Sequence, residues 1–109
     1  MSRIRTLPPQ ARSTYDPNRA KVILAPDASE YAKAHESAHR EQQKLETRAW
    51  QAHRRCMHTP WLCRWTRVWI EAEAARMALR SMRKAGTWTK EARREARTGT
   101  WSYVTCLFV

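Results

Sequence analysis

Residues 59–86, TPWLCRWTRVWIEAEAARMALRSMRKAG, constrain the fold more than any other stretch of the chain. Thr59 offers an N-cap, and Pro60 follows at the first helical position, where its missing amide hydrogen is not needed. Apolar residues then recur at helical spacing until Gly86, a residue type that commonly ends helices. The pattern predicts one helix from Pro60 to Ala85, about 39 Å long at 1.5 Å per residue.

One further helix is predicted on each side of this one. The stretch from about Ala28 to about Met57 is rich in Ala, Glu, Gln and Arg, all good helix formers, and contains no glycine or proline. Downstream, Thr87 or Thr89 can cap a short third helix that ends near Gly99. Two glycines in 109 residues leave little material for tight turns, which also favours long helices.

Both ends of the chain are predicted to be extended. Residues 1–25 are basic and contain three prolines, whereas residues 100–109 are mostly β-branched, aromatic or aliphatic and therefore strand-like. Lys21–Leu24 is the one other strand-like stretch. With the helical region 26–99 between these ends, the sequence predicts an all-α protein, an elongated helical hairpin with an extended N-terminal arm and a strand-like tail.

Composition excludes several classes of protein. The chain has 21 Lys and Arg against 10 Asp and Glu, a formal charge of +11. No run approaches the ~18 apolar residues that a membrane-spanning helix requires. Three cysteines without paired spacing do not indicate a disulfide framework. Leu, Ile, Val and Phe are few, so a self-contained enzyme with a walled active site is not expected.

Residues 35–39, HESAH, match the pattern H-E-x-x-H. On a helix, this spacing places two imidazoles one turn apart with a glutamate beside them, which zinc hydrolases need to bind the metal and activate water. The stretch resembles the metal-binding helix of the zincin metalloproteases. The resemblance implies that His35 and His39 bind zinc and that Glu36 activates water.

The surrounding sequence departs from the zincin pattern. Arg40 stands where that family prefers an uncharged residue, and Gln42 and Leu45 stand where the metzincin extension has Gly and His. His53 would lie about 21 Å along the same predicted helix. The candidates for a third ligand are His53, His58, Glu41 and Glu46. The expectation is therefore a solvated helix face without a metal or another cofactor.

A second group of possible metal ligands lies near the junction of the two long helices. Thiolate and imidazole ligands at a turn can hold zinc. However, the spacing Cys-x-His-x4-Cys matches no standard zinc finger, and a free cysteine is commonly a small buried hydrophobe. The weak candidates there are Cys56, His58 and Cys63.

Three tryptophans form the strongest apolar pattern. Trp61, Trp65 and Trp69 recur every four residues and share one face of the predicted helix. One interpretation is a packing seam against the first long helix. That helix offers mainly alanines, which cannot surround three indoles. Part of this face is therefore expected to meet another protein or a membrane interface, where Trp is enriched.

Basic residues cluster in the second half of the helical region. At helical spacing they can contact phosphates or anionic lipid headgroups. Glu91 and Glu95 lie within the cluster, so a solvated, self-neutralised face is the competing interpretation. The basic residues expected to bind partners are Arg76, Arg80, Arg83, Arg93 and Arg94.

These patterns favour a non-catalytic accessory subunit of a mitochondrial respiratory-chain complex, peripheral to the inner membrane. Its partners would be other subunits and anionic lipid headgroups. The Trp-rich helix and the acid-free, Arg-bearing residues 1–15 support this setting. The alternative is a mitochondrial ribosomal protein that binds rRNA through its basic arm and Arg-rich helix. A zinc hydrolase that uses His35, Glu36 and His39 is the third hypothesis.

Overall fold

The computed structural model describes residues 4–6, 14–56 and 59–105. The mainly helical class predicted from the sequence is confirmed. In chain order, the elements are β1 Ile4–Thr6, β2 Thr14–Asp16, β3 Lys21–Leu24, α1 Glu30–Leu45, α2 Arg48–Cys56, α3 Pro60–Ala85 and α4 Lys90–Thr105.

Helix α3 has the bounds that the sequence predicts. Pro60 occupies its first position, and Gly86 ends it in the left-handed conformation, with φ of 77°. The Gly86 amide donates to the carbonyl of Arg83, which satisfies one of the last carbonyls of the helix. Helices α1, α2 and α4 all pack against α3. The residues of α3 that this packing buries are Ile70, Glu71, Ala74, Ala75, Ala78 and Met82.

The single helix predicted over 28–57 is in fact two helices. Glu46 adopts a φ of 49° and ends α1 in the left-handed region. The Thr47 hydroxyl then accepts a hydrogen bond from the backbone N–H of Trp50 at 3.3 Å and caps α2. Met57, the predicted end of the long helix, lies outside the described residues. The break allows α1 and α2 to pack separately against α3.

The N-terminal arm forms part of the fold. Its strands make a three-stranded sheet in the order β1-β3-β2, with β1 parallel and β2 antiparallel to β3. The strand-like character of Lys21–Leu24 is confirmed, and Val22 within it is fully buried. Residues 1–3 and 7–13 of the predicted arm lie outside the described residues.

Two expectations about shape and tail are wrong. The molecule measures 37 × 31 × 29 Å, with a radius of gyration of 13.8 Å, so it is not an elongated hairpin. Residues 100–105 of the predicted strand-like tail continue α4, and residues 106–109 lie outside the described part of the chain. Among the described residues, no helix has the length and hydropathy needed to cross a membrane.

Candidate metal centre

Helices α1 and α3 bring three potential metal ligands together. His35 and His39 lie one turn apart on α1, and their Nε2 atoms are 3.1 Å from each other. Glu71 of α3 faces them, with Oε1 at 3.1 Å from His35 Nε2 and 3.0 Å from His39 Nε2. The three atoms therefore form a nearly equilateral triangle.

The triangle lies inside the protein. Only 4% of the Glu71 side chain and 11% of the His39 side chain are exposed. The expectation of a solvated helix face at His35 and His39 is therefore wrong. The buried face of α1 also includes Tyr31, Ala38 and Gln42, which recur with the histidines at helical spacing. Because polar residues fill most of this face, the hydrophobic pattern did not reveal that it is buried.

Gln42 fixes the orientation of His39. Its side-chain amide nitrogen donates to the carbonyl of Ile70 and to Oε1 of Glu73, each at 2.9 Å. Its Oε1 consequently faces His39 Nδ1 at 2.8 Å, and the ring nitrogen must be the donor. In neutral His39, the proton is thus on Nδ1, and the Nε2 lone pair points into the triangle.

Tyr31 plays the corresponding part for His35. Its hydroxyl oxygen lies 2.9 Å from His35 Nδ1, where it can accept a hydrogen bond from the ring N–H. Burial, together with the negative charge of Glu71, raises the pKa of Tyr31 well above its ordinary value, so the phenol stays neutral. Both imidazoles therefore have a partner at Nδ1, and a ring whose proton is on Nδ1 leaves Nε2 available to a metal.

The electrostatics of the triangle favour a cation. Burial alone would raise the pKa of Glu71, but the hydrogen bonds that His35 and His39 donate when their Nε2 atoms also carry a proton lower it to about 2. Burial lowers the pKa of His39, yet the hydrogen bond to Glu71 and its charge outweigh that effect and raise the pKa overall. A carboxylate that remains ionised and two converging imidazoles attract positive charge, whether a proton or a metal ion.

The residues fit a zinc ion. Ligands of a tetrahedral zinc with bonds of 2.0–2.1 Å stand about 3.3 Å apart, close to the separations in this triangle. Glu71 Oε2 is buried and accepts no hydrogen bond from any described residue, although it lies 3.0 Å from His39 Nε2 and 3.8 Å from Arg67 Nε. Two histidines and one glutamate form a donor set of catalytic zinc sites, which leave a fourth position for water or substrate.

A cavity of about 360 Å³ borders the triangle, and we call it the metal-site cavity. Glu36 lines it beside His39 and Glu71. Burial raises the pKa of Glu36 and is the largest cause of its shift. The neighbouring histidines lower this pKa, but the charge of Glu71 raises it further, and the net change is upward. The Glu36 carboxylate accepts no hydrogen bond from the described residues, so it is available to a substrate or a water molecule. Other elements contribute Thr14, Tyr15, Trp50, His53, Arg67 and Tyr103 to the walls.

The third potential ligand, Glu71, is not predicted by the sequence. Glu71 lies 32 residues after His39 on a different helix, and no motif spacing links the two. Among the described residues, His35, His39 and Glu71 are the one set with three donor atoms within 4.8 Å of one another. Glu41, Glu46 and His53 do not join them, and His58 lies outside the described residues.

The cysteine group forms no comparable site within the described part of the chain. Cys63 Sγ lies 3.8 Å from Nδ1 of His53, and that nitrogen is 2.8 Å from the hydroxyl of Thr66. Cys56 and Cys63 are both free and half-buried. The pair Cys63 and His53 provides two donor atoms, one fewer than a protein zinc site needs.

The three tryptophans of α3 are exposed. Trp61 is 67% exposed, and Trp65 and Trp69 are 48% and 47% exposed. The rings of Trp61 and Trp65 pack edge to face, with centroids 6.3 Å apart. A packing seam against the first helix, one of the two interpretations of this pattern, is therefore wrong. The five arginines expected to bind partners are also exposed: Arg76, Arg80, Arg83, Arg93 and Arg94.

The chain was also compared with known proteins. No protein-family model, no curated protein and no solved structure matches it. The candidate metal centre therefore rests on the side-chain geometry of α1 and α3.

Proposed function

We propose that this protein is a zinc-dependent hydrolase that cleaves peptide bonds. His35, His39 and Glu71 would bind the ion, and Glu36 would transfer protons. The observation that carries the proposal is the triangle of two imidazole nitrogens and one carboxylate oxygen, beside a glutamate in the same cavity. This proposal corresponds to the third of the hypotheses drawn from the sequence.

Zinc, when bound, supplies a Lewis acid that polarises a carbonyl and makes water more acidic. Glu36 would accept a proton from water as the water oxygen forms a bond to the carbonyl carbon. As the carbon–nitrogen bond breaks, Glu36 would return that proton to the departing amine. A carboxylate suits both steps, because it can accept a proton from water and later release it to an amine.

The sheet supports a peptide as the substrate. Strand β2 lies at the edge of the sheet, and its residues Thr14 and Tyr15 line the metal-site cavity. Among the described residues, the outer edge of β2 pairs with no strand. An extended peptide can add to such an edge through main-chain hydrogen bonds. It would then run along the cavity that contains Glu36.

The proposal predicts a zinc-dependent activity in the purified protein. We expect one zinc ion per chain by atomic emission and cleavage of a mixed library of fluorogenic peptides. A chelator should abolish both, and added zinc should restore both. A protein that binds no stoichiometric zinc, or that binds zinc and cleaves no peptide in the library, would contradict the proposal.

Replacing Gln42 tests the support of the metal ligands. Gln42→Leu removes the acceptor of His39 Nδ1 and should weaken zinc binding about 10- to 100-fold, the usual effect of losing such a partner. Competition with a chromophoric chelator measures the affinity. Gln43→Leu is the matched control, because Gln43 bonds to Tyr15 and to the Pro17 carbonyl instead. Equal affinities in the two variants would contradict the role of Gln42.

Binding to a larger assembly is the second candidate function, supported by the exposed tryptophans and arginines. The accessory-subunit role in a mitochondrial respiratory complex stays a prediction. The rRNA-binding alternative stays a prediction as well. Release of the protein from its partners by nuclease distinguishes these two, because the ribosomal hypothesis alone predicts it.

A further inference from the structure

We infer that the outer face of α3 docks on a membrane surface that contains anionic lipids. Successive residues of a helix are about 100° apart, so positions spaced by three, four or seven lie on one side. We define the outer face by Trp61, Trp65, Trp69, Arg76, Arg80 and Arg83. The core-facing residues of α3 point to the other side of the helix.

The outer face has large apolar side chains that remain exposed. All three indoles are about half exposed or more, and their N–H groups donate to no described residue. Trp is enriched at membrane–water interfaces because its apolar ring enters the hydrocarbon boundary while its N–H remains among polar groups. Three such rings span two turns at one end of the face, about 12 Å along the helix.

The other half of the outer face supplies positive charge. Arg76 and Arg80 are exposed and form no ion pair with a described residue, whereas Arg83 stacks over the ring of Trp88 at 5.0 Å. The two acidic residues of α3 differ, because only Glu73 shares the helical spacing of the outer face. Glu71 is buried, and Glu73 accepts a hydrogen bond from Gln42. With three arginines against one glutamate, the outer face carries a net positive charge, which complements an anionic surface.

A lipid surface fits this distribution better than a protein partner does. Exposed indoles at one end and arginines at the other end of a single straight face suit a helix that lies flat in the headgroup region. The net charge of +11 adds a long-range attraction to the same surface. A protein partner would need both an acidic strip and an apolar pocket, matched along about 33 Å of helix.

Vesicle sedimentation tests the inference. The full chain should sediment with vesicles of phosphatidylcholine and phosphatidylserine, and much less with phosphatidylcholine alone. The double variant Trp65→Ser, Trp69→Ser should bind the mixed vesicles at least about 10-fold more weakly, because its apolar contact is lost. The double variant Arg76→Gln, Arg80→Gln should bind about 30-fold more weakly, from the loss of two charges near the surface.

Matched changes elsewhere on the surface serve as controls. Leu45→Ser removes an exposed apolar side chain from the end of α1, where Leu45 is 65% exposed. Arg93→Gln, Arg94→Gln removes two charges from α4. Both should change binding by less than about 3-fold, since long-range charge alone is screened by salt. Unchanged far-ultraviolet circular dichroism in every variant would show that the fold is intact, so this test is independent of the proposed hydrolase function.

Several results would overturn the inference. One is the absence of binding to either type of vesicle. Another is an equal loss of binding in the Arg76/Arg80 and Arg93/Arg94 variants, which would indicate attraction by net charge alone. A dimer that the Trp65/Trp69 variant converts to a monomer would assign the face to a second copy of the chain. Displacement from vesicles by RNA through the same tryptophans would assign it to nucleic acid.

Discussion

Glu36→Gln is expected to lower the rate of peptide hydrolysis about 10²- to 10⁴-fold, the range that a positioned acid–base group contributes. Gln has the size of Glu and keeps an oxygen acceptor, but it cannot take a proton from water or return it to the amine. Zinc content should stay at one ion per chain, because Glu36 is absent from the triangle of ligands. Steady-state kinetics and atomic emission on the same sample measure both quantities.

Glu41→Gln provides the matched control for this change. Glu41 lies on the same helix, five residues further along, and does not line the metal-site cavity. Its variant should keep the activity of the parent protein. An active Glu36→Gln variant with bound zinc would show that this glutamate transfers no proton in the reaction, and the mechanism proposed above would be wrong.

Glu71→Gln is expected to weaken zinc binding by more than about 100-fold, beyond the effect of losing a residue that only orients a ligand. The change keeps the shape of the side chain but removes the ionised oxygen that completes the donor set. Added zinc raises the melting temperature of a protein that binds it in the folded state alone. We therefore expect added zinc to raise the melting temperature of the parent protein and to change that of the variant little.

Glu73→Gln is the corresponding control. Glu73 is two residues away on α3 and accepts a hydrogen bond from Gln42, which a glutamine oxygen can still accept. Its zinc affinity and thermal response should match those of the parent protein. Equal losses in the two variants would indicate a general effect of charge on α3. Full zinc binding by Glu71→Gln would remove Glu71 from the ligand set.

The parts of the fold that the sequence predicts correctly depend on local signals. Pro60 and Gly86 mark the ends of α3 by their backbone preferences alone. The break at Glu46 has no such signal, because a glutamate with positive φ is maintained by the packing of α1 and α2 against α3. The prediction of a strand-like tail is wrong for a related reason. Tyr103 lies in α4, with the Arg67 guanidinium 5.4 Å from its ring, and tertiary contacts of this kind override β-propensity.

The candidate site was predictable in part. The pattern H-E-x-x-H identifies His35, Glu36 and His39, because one turn of helix separates the two histidines. Glu71 depends on how two helices pack, which the sequence does not specify by spacing. Large aliphatic residues are too few to indicate a core that could enclose such a site. Alanines in the core permit close approach of the helices instead, and this cluster includes Ala75, Ala78, Ala92 and Ala96.

The separation of His39 from Glu71 along the chain has a mechanical consequence. An ion bound to both would act as a cross-link that closes a loop of 32 residues, a segment that contains all of α2. Because the ion binds the folded state alone, it stabilises the fold by mass action, by about 2.7 kcal/mol when free zinc is at 100 times the dissociation constant. A single ion would thus support both catalysis and the stability of the fold. A chain without the metal would be inactive and would also be cleaved more readily by proteases.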